Sequence, residues 1–166
     1  PVFALCAAVI SGLLILFPMF GIRTGFSGDL IVLFYLLSIP SLAYMIGGLA
    51  SGNPLASVGA SREMKLIMSY ELTFLLVLVG IIIKSGQSID LYQIIQVQQE
   101  NTPFIGSISG VLLFIVAIFC LQAKLALVPF DMPEAETEIS DGIFIEYSGT
   151  PYAMIKLSKY MLLFIL

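Results

Sequence analysis

The 166-residue sequence contains no histidine, only two cysteines and few charged residues. The lack of histidine excludes histidine-ligated zinc, histidine-ligated haem and a histidine general base. The two cysteines, Cys6 and Cys120, lie in apolar runs and are too few for an iron–sulfur cluster, which needs about four ligands. We expect both to pack as small apolar side chains. No metal site and no cofactor are therefore expected in this chain.

Charged residues make up 11% of the chain and apolar residues 59%, whereas soluble domains have about 25% charged residues. The mean hydropathy is +1.06. These values exclude a soluble globular domain and a disordered segment. The net charge of -4 leaves no basic surplus for binding nucleic acid. The composition predicts an all-α, polytopic transmembrane helical bundle whose first partner is the lipid bilayer.

Four apolar runs are long enough to cross a bilayer core, which takes about 20 residues in a helix. These predicted spans are residues 2–20, 30–50, 66–83 and 104–128. A fifth run, 152–166, would rise only about 22 Å and is predicted to be the start of another span. Because the chain opens at Pro1, we expect residues 1–166 to be one transmembrane domain within a longer protein.

The cations predict which connections face the cytoplasm. Segments 51–65 and 129–151, with their flanks, carry five cations, whereas the connections 21–29 and 84–103 carry only Arg23 and Lys84. Cytoplasmic loops of membrane proteins are enriched in lysine and arginine. We therefore predict that 51–65 and 129–151 are cytoplasmic loops of a multi-pass protein in the cytoplasmic (inner) membrane. The five cations are Arg62, Lys65, Lys124, Lys156 and Lys159.

Glu71 is the one carboxylate inside a predicted span, about 7–8 Å deep along its helix. A charged residue within lipid indicates function by default, and a carboxyl group there can hold or pass a proton. The alternative is a glutamate paired with a neighbouring helix for structure alone. Lys124, near the end of the fourth span, either snorkels to the membrane surface or has a functional role.

A second set of carboxylates follows the fourth span. Asp131, Glu134, Glu138 and Asp141 are spaced 3, 4 and 3 residues apart, so on a helix they would share one face. In that helix Asp131 would be the cap. Such a cluster could store protons and hand them on; the alternative is a short amphipathic helix with its acids in cytoplasmic water. The candidate coupling residues are Glu71, Asp131, Glu134, Glu136, Glu138, Asp141 and Glu146.

The other predicted cytoplasmic loop supplies possible charge partners for these acids. If the two loops touch, its cations would offset the negative charge of residues 131–146. The candidate charge partners at this face are Arg62, Glu63, Lys65 and Lys124.

The segment 129–138, Pro-Phe-Asp-Met-Pro-Glu-Ala-Glu-Thr-Glu, is followed by Glu-Tyr-Ser-Gly at 146–149. Together they resemble the signature loop of the NADH dehydrogenase subunit 1 family. Members of this family are a membrane subunit of NADH–quinone oxidoreductase (respiratory complex I). Ser69-Tyr70-Glu71 resembles a second motif of this family, on the helix after the preceding cytoplasmic loop. The resemblance covers essentially the whole chain and implies a subunit of roughly eight helices.

The resemblance also implies a function. The family's subunit has no redox centre of its own and connects a peripheral electron-transfer arm to antiporter-like membrane subunits. Its buried carboxylates, here Glu71 and the acids of 131–146, would couple redox chemistry to H⁺ or Na⁺ translocation. The partner subunits would be peripheral iron–sulfur proteins and either hydrogenase-like or quinone-reducing proteins. Iron–sulfur clusters would lie on or between these partners, together with either a nickel–iron centre or quinone.

The family has two branches, and three features favour the branch of energy-converting membrane-bound nickel–iron hydrogenases. Residues 59–64, Gly-Ala-Ser-Arg-Glu-Met, resemble that branch. Lys124 and Leu127 stand where complex I usually has a glutamate and an arginine. The alternative is the quinone-chamber subunit of complex I. Other classes are a stand-alone ion transporter and a purely structural membrane anchor.

Overall fold

The computed structural model describes residues 1–22, 28–100 and 103–166, without the side chains of Glu136 and Thr137. All regular secondary structure in these ranges is helical, so the all-α prediction is confirmed. Arg23, one of the two cations of the predicted outer connections, lies outside the described residues. The α-helices are α1 (Val2–Met19), α2 (Asp29–Ala50), α3 (Pro54–Lys84), α4 (Leu91–Glu100), α5 (Ile108–Lys124), α6 (Glu136–Ile139) and α7 (Gly149–Ile165).

Helices α1, α2 and α3 are long and apolar enough to cross a membrane. The ends of α1 and α2 lie within one residue of the predicted spans 2–20 and 30–50. Helix α5 is apolar but has 17 residues, so it rises about 26 Å, slightly less than the roughly 30 Å bilayer core. The structure therefore confirms a helical membrane bundle and supports three of the four predicted full spans by length.

Helix α3 begins twelve residues before the predicted span 66–83, so the prediction of a loop over 51–65 is wrong. The Asn53 side chain accepts a hydrogen bond from the Leu55 N–H at 2.9 Å and caps the helix. Pro54 occupies the first helical position, which needs no N–H donor. Because caps rather than hydropathy set this boundary, the connection between α2 and α3 is only residues 51–53.

The predicted span 104–128 is too long at both ends. The Ser107 side chain accepts a hydrogen bond from the Gly110 N–H at 3.2 Å and starts α5 there. At the other end Ala126 has a positive φ of 47°, which a helix does not allow. The apolar run 104–128 is therefore longer than the helix α5 within it, Ile108–Lys124.

Helix packing brings distant parts of the chain together. Helix α1 packs against α2 and α7, and α3 packs against α2 and α5. The short helix α4, which hydropathy does not predict, lies in the connection between α3 and α5 and packs against α1. This arrangement places the end of α5 and the middle of α7 beside α2 and α3, where the ionisable residues meet.

The acidic segment after α5 is mostly irregular, not one helix. Its α-helical part is only α6, because Ser140 and Asp141 have positive φ values of 47° and 68°. Asp131 lies in a preceding turn, where its backbone carbonyl accepts a hydrogen bond from the Glu134 N–H at 3.1 Å. The predicted single helical face is therefore wrong for its four acids: Asp131, Glu134, Glu138 and Asp141.

The segment 129–148, called the acidic loop below, packs directly on α2 and α3 at two glycines. A Cβ on Gly59 would lie 2.8 Å from the Ile143 backbone nitrogen and 2.9 Å from the Pro133 carbonyl oxygen. A Cβ on Gly48 would lie 2.9 Å from Ile143 Cγ2. Since Ile143 is only 1% exposed, these glycines allow the loop backbone to approach the helices closely.

Candidate functional site

Glu71 of α3 and Lys124 at the end of α5 form an ion pair with Nζ and Oε1 3.3 Å apart. The Lys124 side chain is 1% exposed and the Glu71 side chain 21%. The Lys124 ammonium also donates a hydrogen bond to Ser38 Oγ at 3.2 Å. Lys124 therefore points into the bundle, which is not the snorkelling arrangement.

Three aromatic rings surround the Lys124 ammonium. Nζ lies 5.7 Å from the ring centroid of Phe34, 5.3 Å from that of Tyr70 and 5.1 Å from that of Phe74. A cation over an aromatic face is attracted by the negative charge of the ring face. The buried ammonium is thus compensated by a carboxylate, a hydroxyl group and three rings.

Glu63, predicted as a charge partner at the cytoplasmic face, is a buried carboxylate. The residue is only 5% exposed. Glu63 and Ser41 line the same cavity, and the Tyr70 hydroxyl donates a hydrogen bond to Ser41 Oγ at 3.2 Å. The spacing could have revealed its burial, because Glu63 lies on one helical face with the buried residues Gly59 and Tyr70 of α3.

A second ion pair lies nearer the acidic loop. Lys159 of α7 contacts Glu134 of the loop, and each side chain is 20% exposed. Both residues line a small cavity together with Glu63 and Lys124. The cavity volume is about 10 Å³, close to the least volume that a water molecule needs. Two lysines and two glutamates from four parts of the chain therefore meet around one cavity.

The other candidate carboxylates lie on the surface. Glu146 accepts a hydrogen bond from Asn53 Nδ2 at 2.6 Å, and Glu138 forms an ion pair with Arg62. The Glu136 side chain lies outside the described residues, and Lys65 is exposed. The structure therefore buries Glu63 and partly buries Glu71 and Glu134, but it leaves four acids exposed: Asp131, Glu138, Asp141 and Glu146.

The expected contact between the two predicted cytoplasmic segments is confirmed by Arg62 Nη1 and Glu138 Oε2, which are 2.6 Å apart. We expect Arg62→Glu and Glu138→Arg each to destabilise the fold by about 0.2–1 kcal/mol, because this pair is partly exposed to water. The double charge reversal should be milder than the sum of the single changes. Thermal unfolding of the purified complex measures this, and additive effects would show that the pair contributes nothing.

Taken together, the fold and the site define a polytopic helical membrane protein with ionisable side chains paired between its helices. The family model described as NADH dehydrogenase matches residues 1–166. The chain therefore belongs to the NADH dehydrogenase family, that of subunit 1 of complex I. The resemblance of the two motifs to this family is thus confirmed.

Curated relatives, each named as a subunit of NADH-quinone oxidoreductase, share about a third of their aligned residues with this chain. The relative from Brevibacillus brevis is 35% identical over 129 residues, covering 78% of this chain and 37% of the relative. The one from Thermomicrobium roseum is 36% identical over 141 residues, covering 79% of this chain and 41% of the relative. The chain thus spans about two fifths of their length. Their names favour the quinone branch over the predicted hydrogenase branch.

Proposed function

We propose that this chain is part of the membrane subunit of an energy-converting, quinone-reducing redox complex in the cytoplasmic membrane. In this proposal it couples electron transfer to H⁺ or Na⁺ translocation through buried carboxylates. The observation that carries the proposal is the meeting of Glu63, Glu134, Lys124 and Lys159 around one cavity, with Glu71 paired behind it. The names of the relatives support the quinone-reducing type.

Energetics argue for a role beyond anchoring. Removing two charges from water costs several kcal/mol per ion, and apolar residues of similar volume often stabilise a fold equally well. An anchor would therefore not need the buried ammonium of Lys124. Ionisable groups inside a membrane protein are typical of ion and proton pathways.

The proposed mechanism is electrostatic. Electron transfer in a peripheral arm changes the charge next to the acidic loop, and the Glu134–Lys159 pair beneath the loop responds. The charge of Glu71, deeper in the bundle, is affected through its ion pair with Lys124. Glu71 in turn changes the electrostatic potential at the neighbouring antiporter-like subunits. Charges interact strongly over these distances because the surroundings have a low dielectric constant.

The exposed acids form a surface for the peripheral subunits in this proposal. Four carboxylates of the acidic loop are exposed, and the loop belongs to the predicted cytoplasmic side. The partners are peripheral iron–sulfur and quinone-reducing subunits and antiporter-like membrane subunits. Iron–sulfur clusters and quinone would be held by or between those partners.

A hydrogenase-type complex is the second candidate, and Lys124 favours it. The lysine stands where complex I usually has a glutamate, and its ammonium group fills the space beside Glu71. The interior therefore holds a positive charge where the quinone branch usually holds a negative one. In that case the peripheral partner would carry nickel.

Purification of the full-length subunit from its native membrane tests the proposal. We expect iron–sulfur and antiporter-like subunits to co-purify, with quinone reduction and without bound nickel. Bound nickel with hydrogen-dependent activity would favour the second candidate. A homo-oligomer that moves ions without partner subunits would contradict both and indicate a stand-alone transporter.

A further inference from the structure

Glu63 lines one cavity with members of two ion pairs that belong to different parts of the fold. Glu134–Lys159 joins the acidic loop to α7, whereas Glu71–Lys124 joins α3 to α5. Glu63 belongs to neither pair, and at 5% exposure it is shielded from water by the rest of the chain. A charge on Glu63 therefore acts on both pairs with little screening.

On the loop side, Glu63 lines one small cavity together with Glu134 and Lys159. The volume of this cavity, about 10 Å³, is close to the least that holds one water molecule. If the Glu134–Lys159 pair opens, the Lys159 ammonium is freed next to Glu63. A water molecule in this cavity would be one with which Glu63 could exchange a proton.

On the membrane side, hydroxyl groups extend from Glu63 toward the second pair. Ser41 lines the same cavity as Glu63, and the Tyr70 hydroxyl donates a hydrogen bond to Ser41 Oγ at 3.2 Å. The Lys124 ammonium lies over the Tyr70 ring, 5.3 Å from its centroid. Tyr70 therefore contacts both the neighbourhood of Glu63 and the deeper ion pair.

We propose that Glu63 is a proton-exchanging carboxyl that links the Glu134–Lys159 and Glu71–Lys124 pairs. Glu63 takes a proton from water in the cavity, or returns it there, according to the charge at either pair. Ser41 and Tyr70 are positioning residues that hold the carboxyl in this arrangement. The inference rests on the proposed function and names the residue through which the loop and the membrane interior communicate. The polar groups around Glu63 are Ser41, Tyr44, Tyr70, Lys124, Glu134 and Lys159.

Infrared spectroscopy of the whole purified complex tests the link. The protonated-carboxyl band that the wild type shows and Glu63→Gln lacks belongs to Glu63. The pH at which this band disappears gives the proton affinity of Glu63. Glu134→Gln and Glu71→Gln each leave a lysine without its carboxylate partner. We expect each to weaken proton binding by Glu63 about threefold or more, because a freed cation favours the carboxylate.

Two controls separate the link from general structural damage. Glu100→Gln removes an exposed carboxylate in α4 and should leave the Glu63 band unchanged. Tyr70→Phe removes the hydroxyl and should change the band position, whereas Tyr35→Phe, on a 63% exposed tyrosine, should not. A response to only one of the two pairs, or a Glu63 that takes up no proton in any variant, would overturn the inference.

The readout needs no ion translocation, so the two proposals can fail separately. A wild-type complex that transports no ions, but whose Glu63 band responds to both pairs, contradicts the proposed function alone. A complex that translocates ions, but whose Glu63 band is the same in Glu71→Gln and Glu134→Gln as in the wild type, contradicts this inference alone.

Discussion

Replacing Glu71 by glutamine should abolish ion translocation while the complex still assembles and transfers electrons. Glutamine keeps the shape of the side chain but removes its charge and its ability to carry a proton. The change also leaves the buried Lys124 ammonium without its carboxylate. We expect a cost of about 3 kcal/mol in stability from the unpaired cation. Translocation per electron and the thermal unfolding midpoint measure the two effects.

The double variant Glu71→Gln/Lys124→Met separates the two effects. Removing both charges should restore most of the lost stability, because no unpaired ion remains at this position. It should not restore translocation, since the carboxyl group is still missing. The matched control is Glu100→Gln, at the end of α4, which should change neither quantity. Normal translocation in the double variant would favour a purely structural role for the pair.

Replacing Gly59 by alanine should displace the acidic loop from α3. The added Cβ would lie under 3 Å from two backbone atoms, the Ile143 nitrogen and the Pro133 oxygen. Backbone atoms cannot rotate away as a side chain does, so we expect a cost of about 1–3 kcal/mol. Displacing the loop should also weaken assembly with the peripheral subunits. Co-purification and the unfolding midpoint measure the two results.

Gly106→Ala is the matched control for this change. A Cβ at Gly106 would meet nothing within 4 Å, so stability and assembly should stay near the wild-type values. If Gly59→Ala behaves like Gly106→Ala, the loop is free to move away from α3 and its close packing is not required.

Sequence patterns predict the parts of this protein that depend on local properties. Apolar runs identify α1 and α2 almost to the residue, because burial in lipid requires long uncharged helices. The two motifs around Glu71 and the acidic loop identify the family. Hydropathy predicts the boundaries of α3 and α5 less well. These helices start where the Asn53 and Ser107 side chains accept hydrogen bonds, and such bonds do not change the hydropathy of the sequence.

Composition and motifs were enough to establish the class of the protein, its membrane helices and the residue types available for coupling. Which charges are buried together depends instead on the packing of the helices. Glu63 and Arg62 are neighbours in sequence, yet one lies in the interior and the other pairs with Glu138 at the surface. Lys124 comes 53 residues after Glu71 and still pairs with it. The reason is that the strength of a charge pair depends on distance in space and on exclusion of water, neither of which follows from order along the chain.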